Sequence, residues 1–355
     1  SYNQKEGHEL YHVLLNKLEE GFNMEIIADF FAKLRTALVP LVHKISEKSN
    51  FISTECLHQS YDVETQKKFC RFLAEHIGFD FNRGVIAESE HPFTTELHNH
   101  DVRITSHYHQ HQLDSAIFSV IHEGGHALYE MGVADDITMT PVGGGTSMGM
   151  HESQSRLYEN NLGRSLEFWE PIYCKLQEAF PEQLHRVTPE EFYKAINHAS
   201  PSLIRTEADE LTYSFHVMIR YEIEKMIFQG NVSVDELPAL WNQKYQEYLG
   251  LTPANDTEGI LQDMHWSGGD FGYFPSYALG SAIAAQIYHH LETVMPVKKH
   301  LKEGNLMPIR EYLKEHIHQF GKCKNTQELL TEMTGEAFNP DYYIAYLTEK
   351  YSALY

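Results

Sequence analysis

The residues with the clearest capacity for chemistry are His122, Glu123 and His126, spaced H-E-x-x-H within residues 117–132, IFSVIHEGGHALYEMG. Residues four apart on a helix lie one turn apart on the same face. Two imidazoles can then reach one metal ion. The carboxylate between them stands ready to take a proton from a water held there. Glu152 follows 26 residues after His126, in the stretch HESQSRLYENNLG. A two-histidine helix plus a later helical carboxylate is the His₂Glu set of a catalytic zinc site with one open position. Glu159, deeper in that stretch, is the alternative third ligand. His151 and Gln154 flank Glu152. In a chain of this composition an H-E-x-x-H arises by chance in roughly one case in eight, so the motif needs its surroundings.

The surroundings must first make a helix. Asp114 can cap its start, Ile117, Ile121 and Leu128 repeat at helical spacing, and Gly132 can close it. Gly124 and Gly125 argue against a helix, at about 1 kcal/mol each relative to alanine. A chain tolerates that where something approaches the backbone, either a substrate strand or a crossing helix. With the neighbouring motifs in view, we read them as keeping the floor low under a substrate.

Upstream, residues 5–49 read as two amphipathic helices broken at Gly21-Phe22-Asn23, with a kink at Pro40. A third helix spans 62–77 and ends at Gly78. FTTEL and VRITSHY, either side of HNHD, alternate as a β-hairpin, with Val102 and Ile104 on one face and Arg103 and Thr105 on the other. Such a strand can offer an edge to an extended peptide. The histidine-rich 107–111 reads as a strand-to-helix connection.

Downstream, the glycine-rich 140–150 lacks the Lys-Ser/Thr ending of a phosphate loop and reads as a close-approach turn. Residues 202–229 read as one long helix that puts Arg205, Asp209 and Thr212 on one face. Arg205 could grip a carboxylate bidentately, or simply pair with Asp209 on the surface. Residues 259–280 gather Asp263, His265, Trp266, Tyr273 and Tyr277 around the glycines of WSGGDFG, as loops that serve a site do.

Helix dominates, so the fold class is mostly α: long helices around a deep groove, with one small β-hairpin or sheet beside the metal-binding helix. We read 1–355 as a single catalytic domain. Residues 1–90 form a helical wall, 91–280 the metal site and groove, and 281–355 helical support. The net charge of -22 argues against nucleic acid and anionic membranes as partners. Four scattered cysteines read as free thiols in a reducing, cytoplasmic setting.

DVRIT (101–105), HEGGH (122–126), HESQ (151–154), IRTEAD (204–209) and GILQDMHW (259–266) occur in this order, followed by YFPSYALG. The set resembles the carboxypeptidase Taq family of metallocarboxypeptidases. The resemblance implies a mainly helical fold with a deep groove, similar in shape to angiotensin-converting enzyme and the oligopeptidases. It implies one catalytic metal, usually Zn²⁺ with Co²⁺ or Mn²⁺ as alternatives, and a homodimer. The implied reaction removes C-terminal residues from peptides with broad specificity and poor cleavage near proline. Family members are longer at the N-terminus, so an N-terminal helical region is expected to be missing here.

On this reading His122, His126 and Glu152 bind the metal and Glu123 is the general base. Asp209 or His151, with Gln154, support the ligands from behind. His265 with Tyr273 or Tyr277 stabilises the oxyanion. Arg205 is the leading candidate for the substrate carboxylate and Arg103 the second. A dipeptidase or endo-oligopeptidase with the same site is the alternative activity, and a silent metal-binding helical protein the alternative class.

Overall fold

A computed structural model describes residues 10–355. It opens with α1 (Leu10–Leu18) and α2 (Met24–Ser46), separated by the expected break. Asn23 starts α2 by accepting a hydrogen bond from the Ile26 N–H, one of the donors that every helix start leaves free. Residues 5–9, read as the beginning of the first helix, lie outside the described residues. Pro40 sits inside α2 without ending it, because Leu38 and Val42 on either side are buried and hold the helix to the core. α3 (Val63–Ile77) begins at Asp62, which accepts from the Thr65 N–H, and closes on Gly78 at φ 105°.

Three strands follow: β1 (Gly84–Glu88), β2 (Thr94–His98) and β3 (Asp101–Ser106), in the order β1-β3-β2. β2 and β3 are the antiparallel hairpin that the alternation predicts. β1 joins β3 in parallel and is an addition to that reading. Its five residues show no clean alternation, since only Gly84 is buried. Val102 and Ile104 are fully buried and Arg103 points to solvent. Thr105 is covered too, because its hydroxyl bonds Ser89 and the Phe93 N–H. Among the described residues no further strand pairs with β2, so its outer edge is open.

α4 (Leu113–Gly132) carries the H-E-x-x-H segment, with Asp114 in its first turn rather than at the cap. α5 (Met148–Arg156) starts at Ser147, whose hydroxyl accepts from the Met150 N–H. It continues as a π-helical segment, Leu157–Leu162. The close approach at the two glycines is to other helices. A Cβ on Gly125 would lie 2.7 Å from the Gln154 carbonyl oxygen and from the Ser155 Cα of α5. One on Gly124 would lie 2.3 Å from the Ile77 Cδ1 of α3. The glycines therefore let α4 press against α5 and α3, which corrects the reading of a floor lowered for substrate. Gly125→Ala should gain about 1 kcal/mol of helix propensity and lose more to overpacking, about 1–3 kcal/mol or above, because the opposing atoms are backbone. Thermal unfolding should show a net fall in Tm. A variant as stable as the parent would refute this account.

The long helix expected over 202–229 is shorter. Residues Arg205–Glu207 form a single 3₁₀ turn, and α6 runs only from Tyr213 to Phe228. Asp209 is the reason. Its carboxylate accepts from the N–H groups of Leu211 and Thr212, both at 3.0 Å, and so stands as a helix-starting residue. α7 (Leu237–Leu249), α8 (Phe274–Val294) and α9 (Asp341–Leu354) complete the main elements. α8 packs along α5 and α6. One contiguous cluster of buried apolar side chains runs from Tyr11 to Tyr351. No helix among the described residues is long and apolar enough to cross a membrane.

Candidate active site

α4 and α5 bring His122, His126 and Glu152 together. Glu152 Oε2 lies 3.7 Å from His122 Nε2 and 3.5 Å from His126 Nε2. These separations are too long for hydrogen bonds. They match the edges of a tetrahedron whose corners sit about 2.0–2.2 Å from a central ion, as zinc–nitrogen and zinc–oxygen bonds do. The donor set therefore fits a divalent metal, with one corner left open. Among the described residues, no other group of three or more His, Cys, Asp or Glu side chains is arranged this way.

Each donor is held from behind. His122 Nδ1 meets Glu159 Oε2 at 2.8 Å, and His126 Nδ1 meets His151 Nδ1 at 2.6 Å. Both rings thus turn Nε2 inward, and these outer contacts fix their orientation. Glu152 Oε1 accepts from Arg156 Nε at 2.7 Å, and Oε2, with the Ser155 hydroxyl at 3.4 Å, faces the two Nε2 atoms. Burial alone would push the Glu152 carboxyl up. Arg156, His122 and His126 outweigh burial and hold it well below the usual carboxylate range. Glu159 is drawn down to about 2 in the same way, with Arg156 and His122 overcoming burial.

Glu159 takes its place from the π-helical segment, which re-aims a side chain that a regular helix would point elsewhere. It is the outer partner of His122, and Glu152 is the acid facing the metal position. Asp209 does not support the ligands. Besides Leu211 and Thr212 it accepts from the Ser200 N–H, so its acceptors are spent on the start of α6. Gln154 also faces away, accepting from His318 Nε2 at 2.9 Å in the core. Of the supporting residues read from the sequence, only His151 touches a ligand.

Glu123 lines a cavity of about 460 Å³ shared with the three donors, Thr94 and Tyr277. The Thr94 hydroxyl of β2 donates to Glu123 Oε2 at 2.6 Å. The open edge strand thus carries the residue that steadies the candidate base. Sequence reasoning did not single out Thr94. It lies 29 residues away, and no local pattern links it to the helix.

Tyr273 and Tyr277 line the same cavity. Burial pushes both phenols up, so both remain proton donors at neutral pH. His265 stands behind them, with Nε2 3.4 Å from the Tyr277 hydroxyl. Burial and then Arg205 push its imidazole down, toward the neutral form. The loop is anchored by Glu224 of α6, which accepts from Trp266 Nε1 at 2.6 Å, the Gly272 N–H at 2.9 Å and the Tyr11 hydroxyl at 2.8 Å.

The two arginines are placed differently. Arg103 is exposed on β3 and makes a two-bond pair with Asp101, away from the cavity. Arg205 is buried beside the loop. It donates to both oxygens of Asp263 and to the Tyr213 hydroxyl, and its guanidinium lies 4.9 Å from the Tyr277 ring centre. Neither lines the cavity. Asp263 also takes a hydrogen bond from Arg220 at 2.7 Å.

Residues 1–351 match the family described as Carboxypeptidase Taq (M32) metallopeptidase. The chain is 46% identical over 346 residues to Carboxypeptidase 1 of Bacillus subtilis strain 168, across 97% of this chain and 69% of that protein. Trypanosoma cruzi Metallocarboxypeptidase 1 shares the structure at a TM-score of 0.92 with 37% identity, over 98% of this chain and 73% of that one. PZ peptidase A matches at 0.65 with 15% identity, over 97% of this chain and 60% of that one. That last likeness is of fold alone. With the expected motifs gathered on α4, α5 and the loop before α8, these matches show that the chain belongs to the carboxypeptidase Taq family and is a metallocarboxypeptidase.

Proposed function

We propose that this chain releases C-terminal amino acids from peptides with one Zn²⁺ held by His122, His126 and Glu152. The observation that carries this reading is the pair of separations, 3.5 and 3.7 Å, between Glu152 Oε2 and the two Nε2 atoms. A divalent ion there supplies Lewis acidity toward a carbonyl oxygen and lowers the pKa of water.

The remaining work falls to side chains. Glu123 takes a proton from the attacking water and passes it to the leaving amine. Its Thr94 partner keeps the carboxylate aimed into the cavity. The hydroxyls of Tyr273 and Tyr277 donate to the oxyanion, and His265 orients Tyr277. An extended peptide lies along the open edge of β2 and is held by main-chain bonds that do not read side-chain type. Phe93 and Met148, partly exposed at the cavity, offer apolar contact to many residues. This arrangement supports broad specificity.

Arg205 is assigned to the substrate carboxylate. It stands just behind the cavity wall, and with Asp263 on Nε and one terminal N–H and the Tyr213 hydroxyl on another, a carboxylate would meet the two N–H groups left. Arg205→Ala is expected to raise KM steeply for free-carboxylate peptides and to change little for amidated ones. Equal losses on both would assign Arg205 to the architecture around Asp263 instead.

The four cysteines are all unpaired, which supports a reducing, cytoplasmic setting. The family resemblance supports a homodimer. The decisive experiment follows release of C-terminal amino acids from a mixed peptide set, before and after chelation and again after Zn²⁺ is restored. Internal cleavage instead of terminal release would favour an endo-oligopeptidase, and zinc binding without turnover a silent metal protein.

A further inference from the structure

Behind His126 the structure holds a two-step relay that ends on a carboxylate outside the cavity. His151 Nδ1 meets His126 Nδ1 at 2.6 Å, and His151 Nε2 meets Glu130 Oε1 at 2.7 Å. We propose that Glu130, acting through His151, is a positioning residue that fixes the tautomer of His126 and so sets how tightly the metal is held.

The argument is one of donors and acceptors. An ionised carboxylate only accepts. A neutral His151 then carries its one proton on Nε2, toward Glu130, and its Nδ1 is a bare acceptor. The facing His126 Nδ1 must be the donor, because two lone pairs do not attract at 2.6 Å. His126 is left with a bare Nε2 pointing at the metal position. Glu130 is buried, and its Oε1 accepts from both His151 and the Gly145 N–H. The other ligand, His122, reaches its carboxylate, Glu159, directly. The two histidines are therefore backed by one acid each, one of them through an intervening ring.

The relay also accounts for one glycine of the glycine-rich loop, Gly145. The Gly145 N–H donates to Glu130 Oε1 at 2.9 Å. A Cβ on Gly145 would lie 2.5 Å from His151 Cδ2, so a side chain there would push the ring out of line. Glu130 itself is four residues after His126, on the same face of α4.

The proposal rests on the metal site described above, and its test separates the two. Zn²⁺ affinity is measured by chelator competition on the full chain, with thermal unfolding of the metal-free protein as the control for folding. Glu130→Gln keeps shape and an acceptor but loses the charge, and should weaken Zn²⁺ binding several-fold. Glu130→Ala should weaken it by roughly 10–100-fold, as loss of an outer partner does. The metal-free Tm of the Gln variant should stay near that of the parent. His151→Asn puts an amide where Nδ1 was and cuts the link to Glu130. In that background Glu130→Gln should cost nothing further. Unchanged affinity in both Glu130 variants, or an undiminished cost in the His151→Asn background, overturns the relay while leaving the metal site standing. Failure of the parent chain to bind one Zn²⁺ overturns both.

Discussion

Glu123→Gln should lower kcat by roughly 10²–10⁴-fold, the range that a positioned proton-transfer group contributes, while one metal ion per chain remains bound. The substitution is nearly isosteric. Thr94 can still donate to the amide oxygen, so the side chain stays where the carboxylate was. What is lost is the capacity to accept a proton from water. KM for peptides should change little, because the β2 edge and the arginine are untouched. The measurement pairs steady-state kinetics with metal analysis of the same sample. A variant that keeps more than a tenth of the activity removes Glu123 from the role of base. A variant that loses its metal shows that the glutamate serves the ligand set instead.

Glu152→Ala should act in the opposite order, with the metal lost first and activity with it. One of three donors disappears, so the fall in Zn²⁺ affinity should exceed the roughly 10–100-fold that removal of an outer partner costs. Arg156 keeps a partner in Glu159, at 3.1 Å, so the variant should still fold. Glu159 cannot substitute as ligand without releasing His122 Nδ1, which it holds at 2.8 Å. Metal content is read after dialysis against trace-metal-free buffer, together with far-ultraviolet circular dichroism. A folded variant with normal metal content would show that the third donor is some other group.

The donor triangle was legible in the sequence because its members are marked by type and covalent spacing. His122 and His126 are one helical turn apart, and Glu152 follows on the next helix. Two acids in that helix were open to the role. Spacing could not choose between Glu152 and Glu159, because the choice depends on where the helix changes pitch at Leu157. The hairpin was legible from its alternation, whereas β1 was not, since its partner strand lies beyond an intervening strand. Arg205 and Asp209 were misplaced for one reason. The apolar periodicity of 202–229 continues through a stretch where Asp209 takes over the backbone donors and ends any helix running into it. Partners that arrive from far along the chain left no local trace. Asp263 on Arg205, 58 residues away, and Thr94 on Glu123 are of this kind.

The π-helical segment Leu157–Leu162 has a consequence for how this chain can change length. A π turn holds one residue more than the α turn it replaces. Deleting one residue there would restore regular winding, leave the chain beyond it in nearly the same direction, and change which side chain of the turn faces α4. Glu159 would swing off His122. Surface loops absorb single insertions and deletions at little cost. These six residues do not, so the count of residues here is as much a part of the site as their identity.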